Sequence, residues 1–202
     1  MKRFLTIISA LVVSLGVWAQ GGAEVLRAMG EKVAEMGAYR IDFVLEMPGA
    51  ESGSEGYCVV DGQRYLIEIE GMMQGCDGEM LWVVNGINRE ISLGEPNLNS
   101  RSLFDNPTRA FDFAEELFEV ADFDGNDGAV WKLTLSPAEG VLDGIESVTL
   151  EVSRKTGLPT LLGYDMGGVS LFVRIEKFAH AEPQEGDFAQ PVMDSYEVID
   201  FR

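Results

Sequence analysis

The stretch that decides the fold is residues 57–69, which read YCVVDGQRYLIEI. Two runs rich in apolar and β-branched residues flank Asp61-Gly62. An Asp-Gly pair between such runs is the strongest short-range signal for a β-hairpin, because both central residues of the tight turn need positive φ. The stretch therefore predicts two antiparallel strands, at Tyr57–Val60 and Gln63–Ile69.

Short strands and tight turns continue on both sides of this hairpin. Upstream, Tyr39–Met47 alternates apolar and polar residues with period 2, which predicts a strand with one wet face, and the polar stretch 49–56 follows as a loop. Downstream, Gly-containing turns separate further predicted strands at Met72–Cys76, Met80–Val84, Ile87–Leu93, Val130–Leu135, Ile145–Val152, Leu158–Tyr164, Val169–Phe178 and Tyr196–Phe201. In all, we expect ten or eleven antiparallel strands, with a loop at residues 122–128.

Two segments break this rhythm and predict helices. Ala23–Gly37 places Val25, Leu26, Met29, Val33 and Met36 at three- and four-residue steps, the pattern of an amphipathic helix. Pro107 suits a first helical turn and predicts a short helix over Thr108–Leu117. The predicted fold class is mostly β: a single, highly curved antiparallel sheet, or incomplete β-barrel, lidded by an N-terminal helix and a short inserted helix.

The N-terminus has the three parts of a cleavable secretory signal. Lys2 and Arg3 form a positive n-region, an apolar run from Phe4 to Trp18 follows, and the junction favours cleavage after Ala19. The apolar run is shorter than the roughly 20 residues that span a bilayer. We expect residues 1–19 to be removed and residues 20–202 to act as one exported domain.

The charge of the chain argues against one class of partner. It has 34 acidic and 15 basic residues, a formal net charge of −19. Such a chain repels phosphate backbones, so we expect no nucleic-acid partner.

The two cysteines, Cys58 and Cys76, leave their pairing open. An exported compartment permits a disulfide, but a chain of this length can bury its own core without one. The sequence favours neither a bridge nor two buried free thiols.

The candidate metal-binding motifs do not provide the ligands that a metal site needs. Asp122, Asp124 and Asn126 match positions one, three and five of a calcium-binding loop, but Asp127 replaces the glycine at position six and Leu133 replaces the glutamate at position twelve. One histidine and two separate cysteines cannot supply a zinc site. We expect no metal and no cofactor.

Motifs for catalysis fail as well. His180, the single histidine, follows a predicted strand end and carries no partner pattern, and no Gly-x-Ser-x-Gly elbow is present. We expect no catalytic residues and no enzymatic activity.

Several strands are apolar on both faces, as in Leu66-Ile67 and in Leu81 to Val84. Such strands either line a cavity on one face and a core on the other, or belong to a well-filled core. Composition alone favours the well-filled core.

The order of several segments resembles a known family, the periplasmic outer-membrane lipoprotein carriers (Lol-type) and their Bacteroidetes-like relatives. The turn Cys76-Asp77-Gly78-Glu79-Met80-Leu81-Trp82 is similar to the family's DG-x-x-LW turn. The other matching segments, in chain order, are Val25–Met36, Tyr39–Met47 centred on Phe43, Gly62–Glu68, Asp105–Pro107, Lys155–Pro159 and Glu197–Arg202.

The resemblance implies an unclosed β-barrel whose hydrophobic cavity carries the acyl chains of lipoproteins, as a periplasmic monomer, toward the outer membrane. It also implies an inner-membrane release complex and an outer-membrane acceptor as partners. By this resemblance we expect the cavity to be lined from the first helix, from the concave side of the sheet and from the insert by Leu26, Met29, Val33, Ile41, Phe43, Leu45, Tyr65, Ile67, Trp82, Phe104 and Phe111.

One departure concerns the lid. The family places an arginine followed by proline near the hairpin where this chain has Gly62-Gln63, so its lid-holding contact does not carry over; Arg64 and Arg40 are the candidate substitutes. The alternative function is an envelope lipid- or lipopeptide-binding or sensor module of the same fold, without a transport role.

Overall fold

The computed structural model describes residues 21–113, 116–126, 128–184 and 186–202. The predicted signal peptide and its cleavage site lie outside these residues.

Twelve strands of the described residues form a single sheet that does not close into a barrel. Their order across the sheet is β12-β6-β5-β4-β3-β2-β1-β11-β10-β9-β8-β7. The strands are β1 Tyr39–Glu46, β2 Ser54–Asp61, β3 Arg64–Ile69, β4 Met72–Cys76, β5 Leu81–Asn85, β6 Glu90–Gly94, β7 Phe118–Asp124, β8 Val130–Pro137, β9 Ser147–Ser153, β10 Pro159–Asp165, β11 Ser170–His180 and β12 Glu197–Asp200. The predicted fold class, a single curved and open sheet with a lid helix, is confirmed.

Both edges of the sheet differ from the prediction. β7 extends through Asp122 and Asp124, where the sequence predicts a loop. β12 pairs parallel to β6, with Glu197 opposite Glu90, so the sheet is not wholly antiparallel. Periodicity shows that a strand exists but not which neighbour it pairs with, because pairing depends on the path of the chain between them.

The predicted N-terminal helix is present and is called α1; it covers residues 21–36. It ends where Gly37 adopts a positive φ of 66°, a conformation that glycine enters without steric cost. At the other end Gly22 lies against the side chain of Val120 in β7. Because β1 follows directly after α1, the helix crosses one end of the curved sheet from β7 to β1.

The segment between β6 and β7, residues 95–117, is called the insert. The prediction of a helix over Thr108–Leu117 is wrong for the described residues, where the insert contains a single 3-10 turn at Pro107–Arg109. Arg101, from an earlier part of the insert, donates hydrogen bonds to both the backbone carbonyl and the carboxylate of Asp112, each at 3.2 Å, and a side chain that bonds a backbone group in this way competes with the hydrogen bonding of a helix.

The two faces of the sheet carry two separate apolar clusters. Paired residues in an antiparallel sheet lie on the same face. Tyr65 pairs with Cys76 on the face that α1 and the insert cover, called the inner face. Leu66 pairs with Gly75, and Gly75 pairs with Trp82, on the opposite or outer face. The outer cluster is small and contains Trp82, Val84, Ile91 and Leu93.

Cys58 and Cys76 are free thiols, both fully buried in the inner cluster. Cys58 is in β2 and Cys76 is in β4, with β3 between them. Strands two positions apart are separated by about 9–10 Å, beyond the roughly 7 Å that a disulfide tolerates between Cα atoms. Sheet geometry therefore decides the question that the sequence left open in favour of two free thiols.

Candidate functional site

The insert spans the open side of the curved sheet. It leaves β6, the second strand from one edge, and enters β7, the opposite edge strand. Its residues Leu103, Ala110 and Phe111 are buried in the inner cluster. Together with α1, the insert forms a lid over the inner face.

Side chains from four strands bind the backbone of the insert. On β1, β3 and β4, Tyr39, Tyr65 and Gln74 donate hydrogen bonds to the carbonyl oxygens of Pro107, Asp105 and Phe104 at 3.2, 3.0 and 2.9 Å. On β10, the hydroxyl of Tyr164 accepts a 3.2 Å hydrogen bond from the N–H of Leu103. Unpairing one buried polar group costs about 1–3 kcal/mol, so these bonds, called the tyrosine latch, hold the insert firmly on the sheet.

The three tyrosines of the latch stay protonated at neutral pH. Burial raises the pKa of Tyr39 and of Tyr164 well above the ordinary tyrosine value. Burial also raises the pKa of Tyr65, to about 12, against a smaller opposing effect of the hydrogen bond from Gln74. Tyr39 and Tyr65 therefore remain able to donate to the insert.

Asn106 stiffens the insert from within. Among the described residues, Asn106 is the one polar residue that is buried, with 1% of its surface exposed. Its side-chain amide donates to the carbonyl of Leu98 at 3.1 Å, and its side-chain oxygen accepts a 2.6 Å hydrogen bond from Thr108. Both ends of the amide are thus satisfied, as a buried amide requires.

A cleft of about 580 Å³ lies between α1, the insert and the ends of β1 and β2, and it opens to solvent. Buried apolar side chains form its floor, contributed by Leu26, Val33, Tyr39, Val60 and Phe111. Charged side chains that reach solvent stand at its mouth, contributed by Arg27, Asp112 and Glu116. An apolar floor below a charged mouth suits an amphipathic ligand.

The structure divides the eleven residues proposed from the sequence for the cavity into four groups. Leu26, Val33 and Phe111 line the cleft. Buried in the inner cluster beneath the lid, but not among the residues that line the cleft, are Met29, Ile41, Phe43, Tyr65 and Ile67. Leu45 and Phe104 are half-buried and pack against the same cluster. Trp82 lies on the outer face.

The placement of Trp82 on the concave side is a correction that follows from strand register. Its indole N–H donates to the carbonyl of Phe188 at 3.0 Å, and the C-terminal segment covers it. Trp82 pairs with Gly75, whereas the inner-face residue Tyr65 aligns with Cys76 and Leu81. A displacement of one residue along β5 exchanges the two faces.

The candidate substitutes for the family's lid arginine also lie on the outer face. Arg40 forms a 2.7 Å ion pair with Asp42 and stands 3.9 Å from the centroid of the Tyr57 ring. Arg64 pairs with Asp61 and lies 5.0 Å from the centroid of the Phe188 ring. Both arginines flank inner-face residues in strands, so their side chains point away from the lid.

Of the latch residues, the sequence analysis proposed Tyr65 as a site residue but not Tyr39, Gln74 or Tyr164. Tyr164 bonds Leu103, which lies 61 residues earlier in the sequence, and Gln74 bonds Phe104, which lies 30 residues later. The one local signal for the latch is Gln74, a polar residue in β4 between the apolar strands β3 and β5. A glutamine side chain on a buried face needs a hydrogen-bond partner.

The tested motifs show no further site. No group of three or more His, Cys, Asp or Glu residues could hold a metal ion within the described ranges. Asp122 and Asp124 belong to strand β7. His180 is exposed, with Nδ1 3.0 Å from the carbonyl oxygen of Met36 at the end of α1.

No helix in the described part of the chain is both long enough and apolar enough to cross a membrane.

No protein-family model and no curated protein match the sequence. Among solved structures, an uncharacterized conserved protein from Thermus thermophilus has a TM-score of 0.59 at 10% identity, covering 89% of this chain and 99% of its own. A DUF1329 family protein from Desulfovibrio piger has a TM-score of 0.50 at 9% identity, covering 85% and 97%. A LolA superfamily protein from Nitrosomonas europaea has a TM-score of 0.47 at 13% identity, covering 86% and 98%.

The likenesses to the Thermus and Desulfovibrio proteins show that this chain shares their fold. At identities near 10% they show nothing about ligand or activity. The architecture is that of an open, curved sheet with a lidded apolar face.

Proposed function

We propose that this chain binds the acyl chains of lipoproteins in the cleft between α1 and the insert and carries them through the periplasm toward the outer membrane. The observation that carries the proposal is the cleft itself, about 580 Å³ with a buried apolar floor and charged side chains at the mouth. Burying an acyl chain there gains about 25 cal/mol for each Å² of apolar surface removed from water, while the polar head group stays in solvent.

The construction of the lid supports release as well as binding. α1 lies outside the sheet, and side chains hold the insert in place through hydrogen bonds to its backbone. α1 can therefore move away without breaking the pairing of any two strands, whereas movement of the insert would also break the bonds of the tyrosine latch. A carrier needs such a movement, because the cargo must leave the protein again at an acceptor. The predicted signal peptide and the resemblance to Lol-type carriers support the periplasmic route.

The alternative is a lipid- or lipopeptide-binding or sensor module that retains its ligand. The tyrosine latch favours this alternative, because four hydrogen bonds from separate strands oppose the opening of the insert. Both functions require binding of an acyl chain, but only a carrier transfers the bound chain to an acceptor.

The test has two stages. Mature protein, residues 20–202, is purified from its native host and its bound species are identified by mass spectrometry. It is then loaded with a fluorescent fatty acid and mixed with acceptor vesicles that carry a quencher. Transfer faster than spontaneous probe release supports a carrier, whereas retention of bound probe supports the binding module. Absence of both bound acyl species and probe binding contradicts both functions.

A further inference from the structure

We propose that the end of the sheet opposite the cleft docks on a lipid surface with zwitterionic head groups, through apolar side chains at the tips of four turns. These turns, residues 47–53, 70–72, 86–89 and 166–169, are called the apolar rim. The proposed contact goes beyond acyl binding in the cleft and does not depend on it. The position of the apolar side chains, the fixed shape of the turns and the charge around them support the proposal.

Strand pairing places the four turns at one end of the sheet. The residue pairs next to the turns are Glu46 with Phe172, Ile69 with Met72, Asn85 with Glu90, and Asp165 with Ser170. The cleft lies at the other end, where Tyr39 pairs with Val60. The eight residues of β1 separate the two ends by roughly 25 Å. Docking through the apolar rim therefore leaves the cleft free at the far end.

Large apolar side chains that reach solvent are concentrated on this rim. Nine such side chains are exposed among the described residues, and five of them belong to the four turns. Ile87 is 92% exposed, and the other four, which are 41–57% exposed, are Met47, Met72, Met166 and Val169. Single apolar residues scattered over a surface are ordinary, whereas a group of them at one end of a molecule marks an interaction surface.

The spacing of the turns favours a lipid surface over a protein partner. Neighbouring turns of the rim are two strands apart in the sheet, a distance of about 10 Å. Their apolar tips therefore form a row of separate points and not one continuous patch. A protein partner excludes water from a continuous, closely packed apolar core, whereas a fluid lipid surface closes around separate side chains.

Side-chain hydrogen bonds fix the shape of three of the four turns. The side-chain oxygen of Asn85 accepts hydrogen bonds from two backbone N–H groups of the turn that follows it, both at 3.1 Å. Asp165 does the same for the turn after β10, at 3.2 and 3.3 Å. Glu68 accepts a 2.7 Å hydrogen bond from the N–H of Gly71. Turns that are fixed before docking lose little conformational entropy when they dock.

The charge of the rim selects the head group. The four turns contain two carboxylates, Glu51 and Glu70, and one basic residue, Arg89, while Glu90 and Asp165 flank them. An anionic lipid surface repels this end, as it repels a chain with a net charge of −19.

A zwitterionic head group such as phosphatidylethanolamine removes this conflict. Its ammonium group lies on the water side of the phosphate, where it meets the carboxylates while the apolar tips enter between the head groups. The rim has no basic cluster to add electrostatic attraction, so docking is weak and reversible. A protein that docks in this way can leave the surface again, as a carrier must.

The experiment measures vesicle binding by flotation. Mature protein, residues 20–202, is mixed at low salt with vesicles of equal parts phosphatidylcholine and phosphatidylethanolamine. A second set of vesicles contains phosphatidylglycerol in place of phosphatidylethanolamine. We expect the zwitterionic vesicles to carry at least fivefold more protein than the anionic vesicles.

Three variants locate the contact. Ile87→Asn and Val169→Asn should each lower binding to the zwitterionic vesicles at least threefold, and the double variant at least tenfold. Both side chains are exposed, so the thermal midpoint should not change. Phe201→Asn is the matched control. It removes a 72% exposed ring at the cleft end of the sheet, where the Phe201 N–H bonds Leu93, and it should bind vesicles as the native protein does.

The outcomes separate this inference from the proposed function. Undiminished vesicle binding by the double variant, an equal loss in Phe201→Asn, or stronger binding to the anionic vesicles overturns the inference. A dimer in sedimentation velocity that the double variant abolishes also overturns it, because a second copy of the chain then covers the rim. The double variant should bind a fluorescent fatty acid as the native protein does. Native protein that binds vesicles but no fatty acid would contradict the proposed function alone.

Discussion

The hydroxyl of Tyr39, at the start of β1, donates a 3.2 Å hydrogen bond to the backbone carbonyl of Pro107, 68 residues further along the chain. Pro107 begins the single 3-10 turn of the insert, and both residues are buried. The first strand of the sheet and the lid over its inner face are thus joined by one side chain. Loss of this bond is expected to destabilise the lid more than the sheet.

Tyr39→Phe keeps the ring and removes the hydroxyl. Because a buried carbonyl then loses its partner, we expect the free energy of unfolding to fall by about 1–2 kcal/mol, with faster hydrogen exchange in residues 103–110 than in β1. Urea denaturation and exchange measured by mass spectrometry check this. Tyr57→Phe, on the outer face beneath Arg40, is the control and should change stability by less than about 0.5 kcal/mol. Equal effects of the two variants would contradict the role of the latch.

High pH is expected to destabilise the fold through the buried tyrosines. Tyr65 has a pKa of about 12 in the folded protein, against an ordinary value near 10. Between these values the unfolded chain releases the proton while the folded chain keeps it, so stability is complete below pH 10 and declines from pH 10 to pH 12. A shift of this size corresponds to roughly 2–3 kcal/mol.

Urea midpoints measured from about pH 8 to about pH 11.5, together with phenolate absorbance, test this expectation. Tyr65→Phe should show a weaker decline than the native protein. A midpoint that stays constant over this whole range would show that Tyr65 ionises normally in the folded state.

The two thiols are expected to be inert in the native protein. Both cysteines are fully buried, and burial raises the pKa of each thiol above its usual value, so little reactive thiolate forms. A chromogenic disulfide reagent should detect almost no thiol in the native protein and both thiols in urea. A protein that remains unreactive in urea unless a reductant is added would contain a disulfide and contradict the strand geometry.

A close contact on the outer face makes Gly75 sensitive to substitution. A Cβ atom at Gly75 would stand 2.2 Å from an atom of the Trp82 ring, whereas one at Gly94 on β6 would meet nothing within 4 Å. Gly75→Ala should therefore destabilise the protein by about 1–3 kcal/mol, measured by urea denaturation, while Gly94→Ala is tolerated. Acyl binding should survive in Gly75→Ala, because the cleft lies on the other face of the sheet.

The sequence predicts the strands and α1 because their signals, which are turn residues and the spacing of apolar residues, lie within or beside each segment. Asp61-Gly62 predicts a tight turn wherever the rest of the chain lies, and the hairpin is present. Its central residues are Gly62 and Gln63 rather than Asp61 and Gly62, because Asp61 pairs with Arg64, and only Gly62 of the turn has a positive φ. The spacing of Leu26, Met29 and Val33 defines one helix face regardless of its partner, and all three are buried against the sheet.

The failures concern relations that no local pattern encodes. The face of Trp82 depends on register, and alternation along apolar β5 gives no sign of which face is inside. The latch joins residues 61 and 68 positions apart. In the insert, the hydrogen bonds from Arg101 to the carbonyl and carboxylate of Asp112 hold an irregular backbone where the position of Pro107 predicts a helix.

The central claim, that the cleft binds an acyl chain, is tested most directly by photocrosslinking. Mature protein is illuminated with a palmitic acid analogue that carries a diazirine in mid-chain, and the adducts are located by peptide mass spectrometry. The account predicts adducts on residues that line the cleft, Leu26, Val33 and Phe111 above all, and their loss in the presence of excess palmitate. Adducts confined to the outer face, or none that palmitate removes, would contradict it.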